Sequence, residues 1–287
     1  MTTPEVVEGI VAELLPLVRQ FARGEYAIAL GGAHAKGTAD SESDLDLYLF
    51  ANSVLPTDER TRMTVAFSAE VTGAYSWQDD LPFSDTGTDF YFRGMRVEVW
   101  LRNAERIERT IAECQEGVLK RDLVTWTTTG FYNHCALSDM KVMVPLEDPF
   151  GIIARWKLQV GGYPRKLRDA IIAEHLPAAR FWPDNFHYKS AVERVDVIYA
   201  TGIVQQVVHN LLQVLFALNE SYFPGDKNLG VALDHLPRQP AELRREVESL
   251  LWPAAPATRE TLRAQAETLR SLLQDIEAMV AGSVRPG

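Results

Sequence analysis

Apolar residues recur at helical spacing from Val7 through Ile10, Val11, Leu14 and Val18 to Phe21, which predicts an amphipathic helix over 4–23. Pro4 suits a first helical position and Gly24 a helix end. The period then shortens to that of a strand. Residues 28–30 form a short apolar strand that runs into Gly31-Gly32, and a polar stretch follows. A second strand opens at Asp44-Leu45-Asp46, with Leu45, Leu47 and Leu49 on one face and both aspartates on the other. Residues 56–72 read as a helix and 75–88 as a loop rich in Asp and Gly. Residues 88–101 read as a β-hairpin turning at Arg93-Gly94. Asn103 caps a helix to about residue 115, a second helical stretch covers 119–135, and 141–145 forms a last edge strand.

Beyond residue 150 the strand-like alternation stops. Helices are predicted over 153–159 and 164–175, followed by a Pro-rich break at 177–183. Residues 186–202 and 203–220 read as two helices or one interrupted helix, with Val195, Ile198, Tyr199, Val207, Leu211, Leu215 and Leu218 on the buried face. Segments 229–236, 240–251 and 258–281 complete a helical bundle. The pattern predicts an α/β (α+β) chain of two domains. Residues 1–150 hold a mixed, twisted sheet with helices, and residues 151–287 are all helical.

Composition changes this picture little: of 287 residues, 46% are hydrophobic and 24% charged, as in ordinary soluble globular proteins. The longest apolar stretch, 211–218, is interrupted by Gln213 and is too short to cross a bilayer. No basic start or apolar run marks a signal peptide. Cys114 and Cys135 are the only cysteines and show no Cys-x-x-Cys spacing, which fits the cytoplasm better than a disulfide framework. The net charge of −10 matters more. It argues against nucleic acid, whose binding relies on clustered Lys and Arg, and is compatible with cationic small molecules. The six histidines lack metal-ligand spacing and read as structural or exposed.

Asp44 and Asp46 point the same way and repel each other unless a cation sits between them. Mg²⁺ suits that place, being a hard cation that shares oxygen ligands with substrate phosphates. At the other end of the same β-loop-β unit, Gly31-Gly32 lets backbone N–H groups approach an anion closely. Glu98 interrupts an apolar run in mid-strand, sharing a face with Arg96 and Trp100, and a charge there needs a partner or a metal. Asp89 is its lower-ranked rival.

Gly31-Gly32, eleven residues, then Asp44-Leu45-Asp46-Leu47 resembles the signature of the DNA polymerase β-like nucleotidyltransferase superfamily, and Ser43 and Gly37 fit its common form. Residues 218–229, "LNESYFPGDKNL", resemble the helical-domain pattern of bacterial aminoglycoside- and lincosamide-modifying nucleotidyltransferases. The resemblance implies that Asp44, Asp46 and Glu98 hold two Mg²⁺ ions, with Glu98 also a candidate general base. It implies that Gly31, Gly32, Lys36 and Ser43 contact ATP or another nucleoside triphosphate, and that Lys189, Tyr222 and Lys227 reach it from the helical domain. Glu193 is then either an ion-pair partner of Lys189 or part of the chemistry. The acceptor implied is a small hydroxyl compound, with no nucleic acid or membrane partner. Asp79, Asp80, Asp85 and Asp89 form an acidic lip that would draw a cationic acceptor. Competing readings are transfer to a protein hydroxyl, or a non-catalytic, antitoxin-like module, which loss of a carboxylate would signal; all three are present.

Overall fold

The computed structural model describes residues 4–81 and 84–283. The chain divides into two compact units, Met1–Glu113 with Asn133–Gly162, and Cys114–Tyr132 with Tyr163–Gly287. The sequence pattern places one boundary near 150, whereas the excursion over Cys114–Tyr132 belongs to the second unit.

In chain order, α1 (Pro4–Gln20) is followed by β1 (Tyr26–Leu30), α2 (Gly32–Lys36), β2 (Leu45–Ala51) and α3 (Thr57–Phe67). Next come β3 (Val71–Leu81), β4 (Ser84–Phe92), β5 (Met95–Arg102) and α4 (Ala104–Gln115). A two-stranded ribbon, β6 (Arg121–Asp122) with β7 (Phe131–Tyr132), precedes α5 (Asn133–Val142), β8 (Val144–Glu147) and α6 (Ile152–Val160). The second unit continues with α7 (Arg165–Phe181), α8 (Phe186–Arg194), α9 (Val197–Leu218), α10 (Leu229–Asp234), α11 (Leu243–Leu251) and α12 (Arg259–Ser283). The class is the expected one: a mixed six-stranded sheet with helices, and a helical C-terminal region.

The sheet order is β3-β4-β5-β2-β1-β8, with β2 and β5 parallel and the other neighbours antiparallel. Period-2 alternation decides which side of it is dry. Leu45, Leu47 and Leu49 join Val97, Val99, Leu101, Phe90 and Phe92 on one face, buried against the α1 stripe from Val7 to Phe21. The opposite face carries Asp46, Tyr48 and Phe50 of β2; Phe50 meets Trp156 of α6 edge-on at 5.0 Å. The polar members of that face are the candidate site.

Two expectations fail in informative ways. The acidic loop at 75–88 is instead the greater part of β3 and β4. Neither face of this edge reads as apolar, because Arg60 of α3 is buried beneath it and donates to Gly87 O, Thr88 Oγ1 and Thr86 Oγ1. Small polar residues therefore occupy positions that valine or leucine would mark as strand. The helix expected over 119–135 is also absent. There the carboxylate of Asp226 accepts from the N–H and hydroxyl of both Thr128 and Thr129 at 2.7–3.1 Å and fixes a non-helical link of turns and bends.

In the second unit, α7 runs through Pro177 to Phe181, so the expected break at 177 is not there. Leu176 and Ala179 are buried on either side of that proline, and the packing outweighs the hydrogen bond it omits. The break between α8 and α9 falls at Val195, which is left-handed at φ 57° and is followed by the Asp196 cap. By length and composition α9 is apolar enough to cross a membrane; its apolar side is buried within the unit from Ala200 on, whereas Ile198 and Tyr199, expected on the buried face, are exposed in its first turn.

Candidate functional site

Strand register lines up one row of side chains across the polar face of the sheet. Tyr75 of β3 is opposite Asp89 of β4, Asp89 opposite Glu98 of β5, and Glu98 opposite Asp46 of β2. Asp46 closes the row through its carbonyl, which accepts from Gly31 N–H at 2.9 Å. Neighbouring strands lie about 4.8 Å apart, so the backbone positions that carry the three carboxylates succeed one another at roughly that spacing.

The glycine pair is required by this packing. A Cβ on Gly31 would stand 2.3 Å from the Tyr48 ring, and one on Gly32 would stand 1.7 Å from Asp46 Oδ2. Gly32 also has φ +57°, which an L side chain rarely adopts. Its N–H hydrogen-bonds the Tyr48 phenol, which burial raises far above its ordinary pKa. The Asp46 carboxylate thus occupies the space that a missing side chain leaves.

Glu98 is half-buried and held by two donors, Arg96 at 2.5 Å and Trp100 Nε1 at 3.2 Å. Its pKa is raised, first by burial and then by the charge of Asp44, against the opposing pull of Arg96. Asp89 accepts from Tyr75 Oη at 2.8 Å and Trp77 Nε1 at 3.1 Å, and lies 4.0 Å from Arg96. Trp77 lies over Gly87, where a Cβ would meet its ring at 2.2 Å, and packs edge-on against Trp100 at 5.1 Å. An aromatic wall thereby borders the acidic row.

The donor set fits a hard divalent cation, because it offers only carboxylate oxygens and Asp46 already sits in the cradle left by Gly32. As the side chains stand, no three His, Cys, Asp or Glu among the described residues are close enough together to hold a metal. Arg96 supplies the positive charge beside Glu98.

The other sequence candidates have structural partners. Lys36 lies 3.8 Å from Asp139, which lies 3.8 Å from Arg102, whose guanidinium caps the Tyr48 ring at 4.6 Å. Ser43 closes a turn with Asp40, accepting from its N–H at 2.9 Å and donating to its carboxylate at 3.0 Å. His34 is held below its ordinary pKa by burial, against the nearby Asp44. Of the supposed acidic lip, Asp85 caps α4, accepting from Asn103 N–H at 2.6 Å and pairing with Arg106. Asp79 is exposed, and the side chain of Asp80 lies outside the described residues.

Lys189, Tyr222 and Lys227 all belong to the second unit. Lys189 pairs with Asp184 at 3.2 Å, while Glu193 is taken by Arg263 at 2.6 Å and Arg259 at 3.5 Å rather than by Lys189. Tyr222 is buried and packs on Tyr163 at a centroid distance of 4.8 Å. Lys227 is exposed, next to the Asp226 clamp. Asp89, under-ranked on sequence, stands fully in the row, and Tyr75, Trp77 and Arg96 join it there. The alternation of Tyr75, Trp77 and Asp89 with small polar residues was the available signal.

The family model that matches, described as a domain of unknown function (DUF4037), covers residues 133–229 and so omits the acidic row. No curated protein matches the chain. Among solved structures, a nucleotidyltransferase-like protein from Exiguobacterium sibiricum 255-15 superimposes with TM-score 0.42 at 10% identity, over 98% of this chain and 77% of that one. A likeness that loose says nothing about chemistry, which must come from the site itself.

Proposed function

We propose that the chain is a Mg²⁺-dependent nucleotidyltransferase that moves a nucleoside monophosphate, AMP from ATP as the leading case, onto a hydroxyl of a small molecule. The observation that supports this most is the pairing of Asp46 with Glu98 on parallel strands, beside a glycine turn packed against the Asp46 carboxylate. Asp44, Asp46 and Glu98 would hold the metal, which when bound neutralises the triphosphate and polarises the α-phosphoryl group. Gly31 and Gly32, which carry no Cβ to bar close approach, would admit the outer phosphates beside Lys36, while the Gly31 N–H stays with the Asp46 carbonyl. Lys189, Tyr222 and Lys227 remain proposed nucleotide contacts of the second unit.

In the reaction, the acceptor oxygen bonds to the α-phosphorus while the bond from that phosphorus to the pyrophosphate oxygen breaks. Glu98 accepts the hydroxyl proton. Burial suits it to this, because it weakens the carboxylate's preference for the ionised form. For Glu98 to turn towards a metal or an acceptor, its contact with Arg96 must open. The net charge of −10 supports an amine-bearing acceptor of the aminoglycoside or lincosamide kind, in the cytoplasm where nucleoside triphosphates are available. The test is pyrophosphate release with Mg²⁺, each of the common nucleoside triphosphates, and a panel of amine-bearing and neutral alcohols. Release that Asp46→Asn abolishes is expected; no release with any combination, or release indifferent to Asp46→Asn, overturns the proposal.

A further inference from the structure

Helix α9 contains a glycine that its packing does not require. Gly202 sits in the first third of this 22-residue helix, where glycine is the least favourable residue after proline. A Cβ built on it would meet no atom within 4 Å, so no neighbouring element requires its smallness. Two cavities of the second unit meet there, one of about 390 Å³ and one of about 510 Å³, both lined by Gly202 and Gln206. Those volumes lie in the range of small-molecule sites.

The smaller cavity is polar. His175, His209 and Asn210 line it, with Arg121 and Glu174 as its charged members. Its inner groups are hydrogen-bonded in two sets. Asn210 Nδ2 donates to Gln206 O at 2.7 Å, which leaves Asn210 Oδ1 to accept from His175 Nδ1 at 2.7 Å. His175 therefore keeps its proton on Nδ1, and burial holds the ring neutral. His209 shares Nε2 with the Tyr132 hydroxyl at 3.0 Å and is also neutral, its pKa lowered to about 4, chiefly by burial. The larger cavity presents Trp182, Tyr199, Ile198 and one carboxylate, Asp196, which accepts from Tyr199 N–H at 3.2 Å as the cap of α9; Trp182 Nε1 donates to Gln206 Oε1 at 3.1 Å.

Uncharged donor-acceptor groups beside an aromatic face match one class of ligand. Arg121 and Glu174 oppose each other at the polar cavity, and Asp196 of the larger one is engaged with the start of α9, so neither a simple anion nor a simple cation is favoured. Hydroxyl groups donate and accept, as imidazole and amide groups do, and the C–H face of a saturated ring packs on indole. We infer that the surface of α9 around Gly202 binds a neutral, polyhydroxylated ring compound, a saccharide by chemical class, with its hydroxyl edge towards His209 and Gln206 and its ring face on Trp182. The site is contained in the second unit, and stands whether or not the first unit transfers nucleotides.

The test uses the full chain with isotope-labelled histidine, observed by NMR while glucose, maltose or myo-inositol is added, with inorganic phosphate and spermidine as charged controls. A saturable shift of the His209 ring with at least one of the neutral compounds is expected. Gly202→Met should weaken it by at least about tenfold while keeping or raising Tm, because methionine is a good helix former and its side chain enters the cavity. Trp182→Ala should weaken it too. No shift with any neutral compound, a shift only with phosphate or spermidine, or a shift unchanged in a folded Gly202→Met variant overturns the inference.

Discussion

Gly32→Ala separates backbone strain from damage to the acidic row, because Gly37 supplies a matched control. Both glycines are left-handed, at φ +57° and +69°, and lie at opposite ends of α2. An L residue in that conformation costs about 1–2 kcal/mol, so each alanine variant should lose a few degrees of Tm. Only Gly32 has a second penalty. Its new Cβ would lie 1.7 Å from Asp46 Oδ2, whereas real contacts begin near 3.0 Å, so the carboxylate must swing away by more than an ångström. At Gly37 a Cβ meets nothing within 4 Å. A misplacement of about 1 Å at a reacting centre lowers turnover by about 10²-fold. Gly37→Ala should therefore lose stability alone, while Gly32→Ala loses stability together with Mg²⁺-dependent nucleotide binding and pyrophosphate release. Thermal melts, nucleotide titration and the release assay on both variants decide the matter. Equal activity in two folded variants would refute the role given to the cradle around Asp46.

Glu98→Gln keeps the shape and removes the charge, so turnover at saturating Mg-nucleotide should fall by about 10²–10⁴-fold. Undiminished turnover would transfer the base to Asp89, to be checked with Asp89→Asn. Asp226→Asn should cost about 1–3 kcal/mol in denaturant melts, because an amide cannot accept all four bonds from Thr128 and Thr129; an unchanged midpoint would deny that this clamp holds the 123–130 link. His209, packed among Tyr132, His175, Arg121 and Asp226, stays neutral in the folded state down to about pH 4, while its unfolded form takes a proton near pH 6.5. The unfolded state thus binds the extra proton between those values, and stability falls by about 3 kcal/mol as pH drops from 6.5 to 4. Urea melts should show a steeper decline in wild type than in His209→Gln, where the buried His175 still resists protonation, and identical pH profiles would disprove it.

Sequence pattern conveyed the elements whose two sides differ sharply in polarity. The α1 stripe from Val7 to Phe21 and the β2 alternation of Leu45, Leu47 and Leu49 could be read because each has one dry face. So could the Arg93-Gly94 turn, where Arg93 itself is left-handed at φ 51°. The pattern failed where burial is polar. On β4, Thr86 and Thr88 face a buried guanidinium, and on the other side Gly87 makes room for Trp77 while Asp89 binds Tyr75 and Trp77. A strand in which hydroxyls, glycine and carboxylate take the places of aliphatic residues has the composition of a loop. Asp44, Asp46 and Glu98 stood out because leucine and valine flank them; Asp89, one register step from Glu98, did not, since its own strand carries little such contrast. The same substitution of polar for apolar neighbours that gives this sheet face its chemistry thus removes the periodicity by which a strand is recognised. Long-range pairing, here of Asp89 with Glu98 and of Glu98 with Asp46, is what restores the missing member of the row.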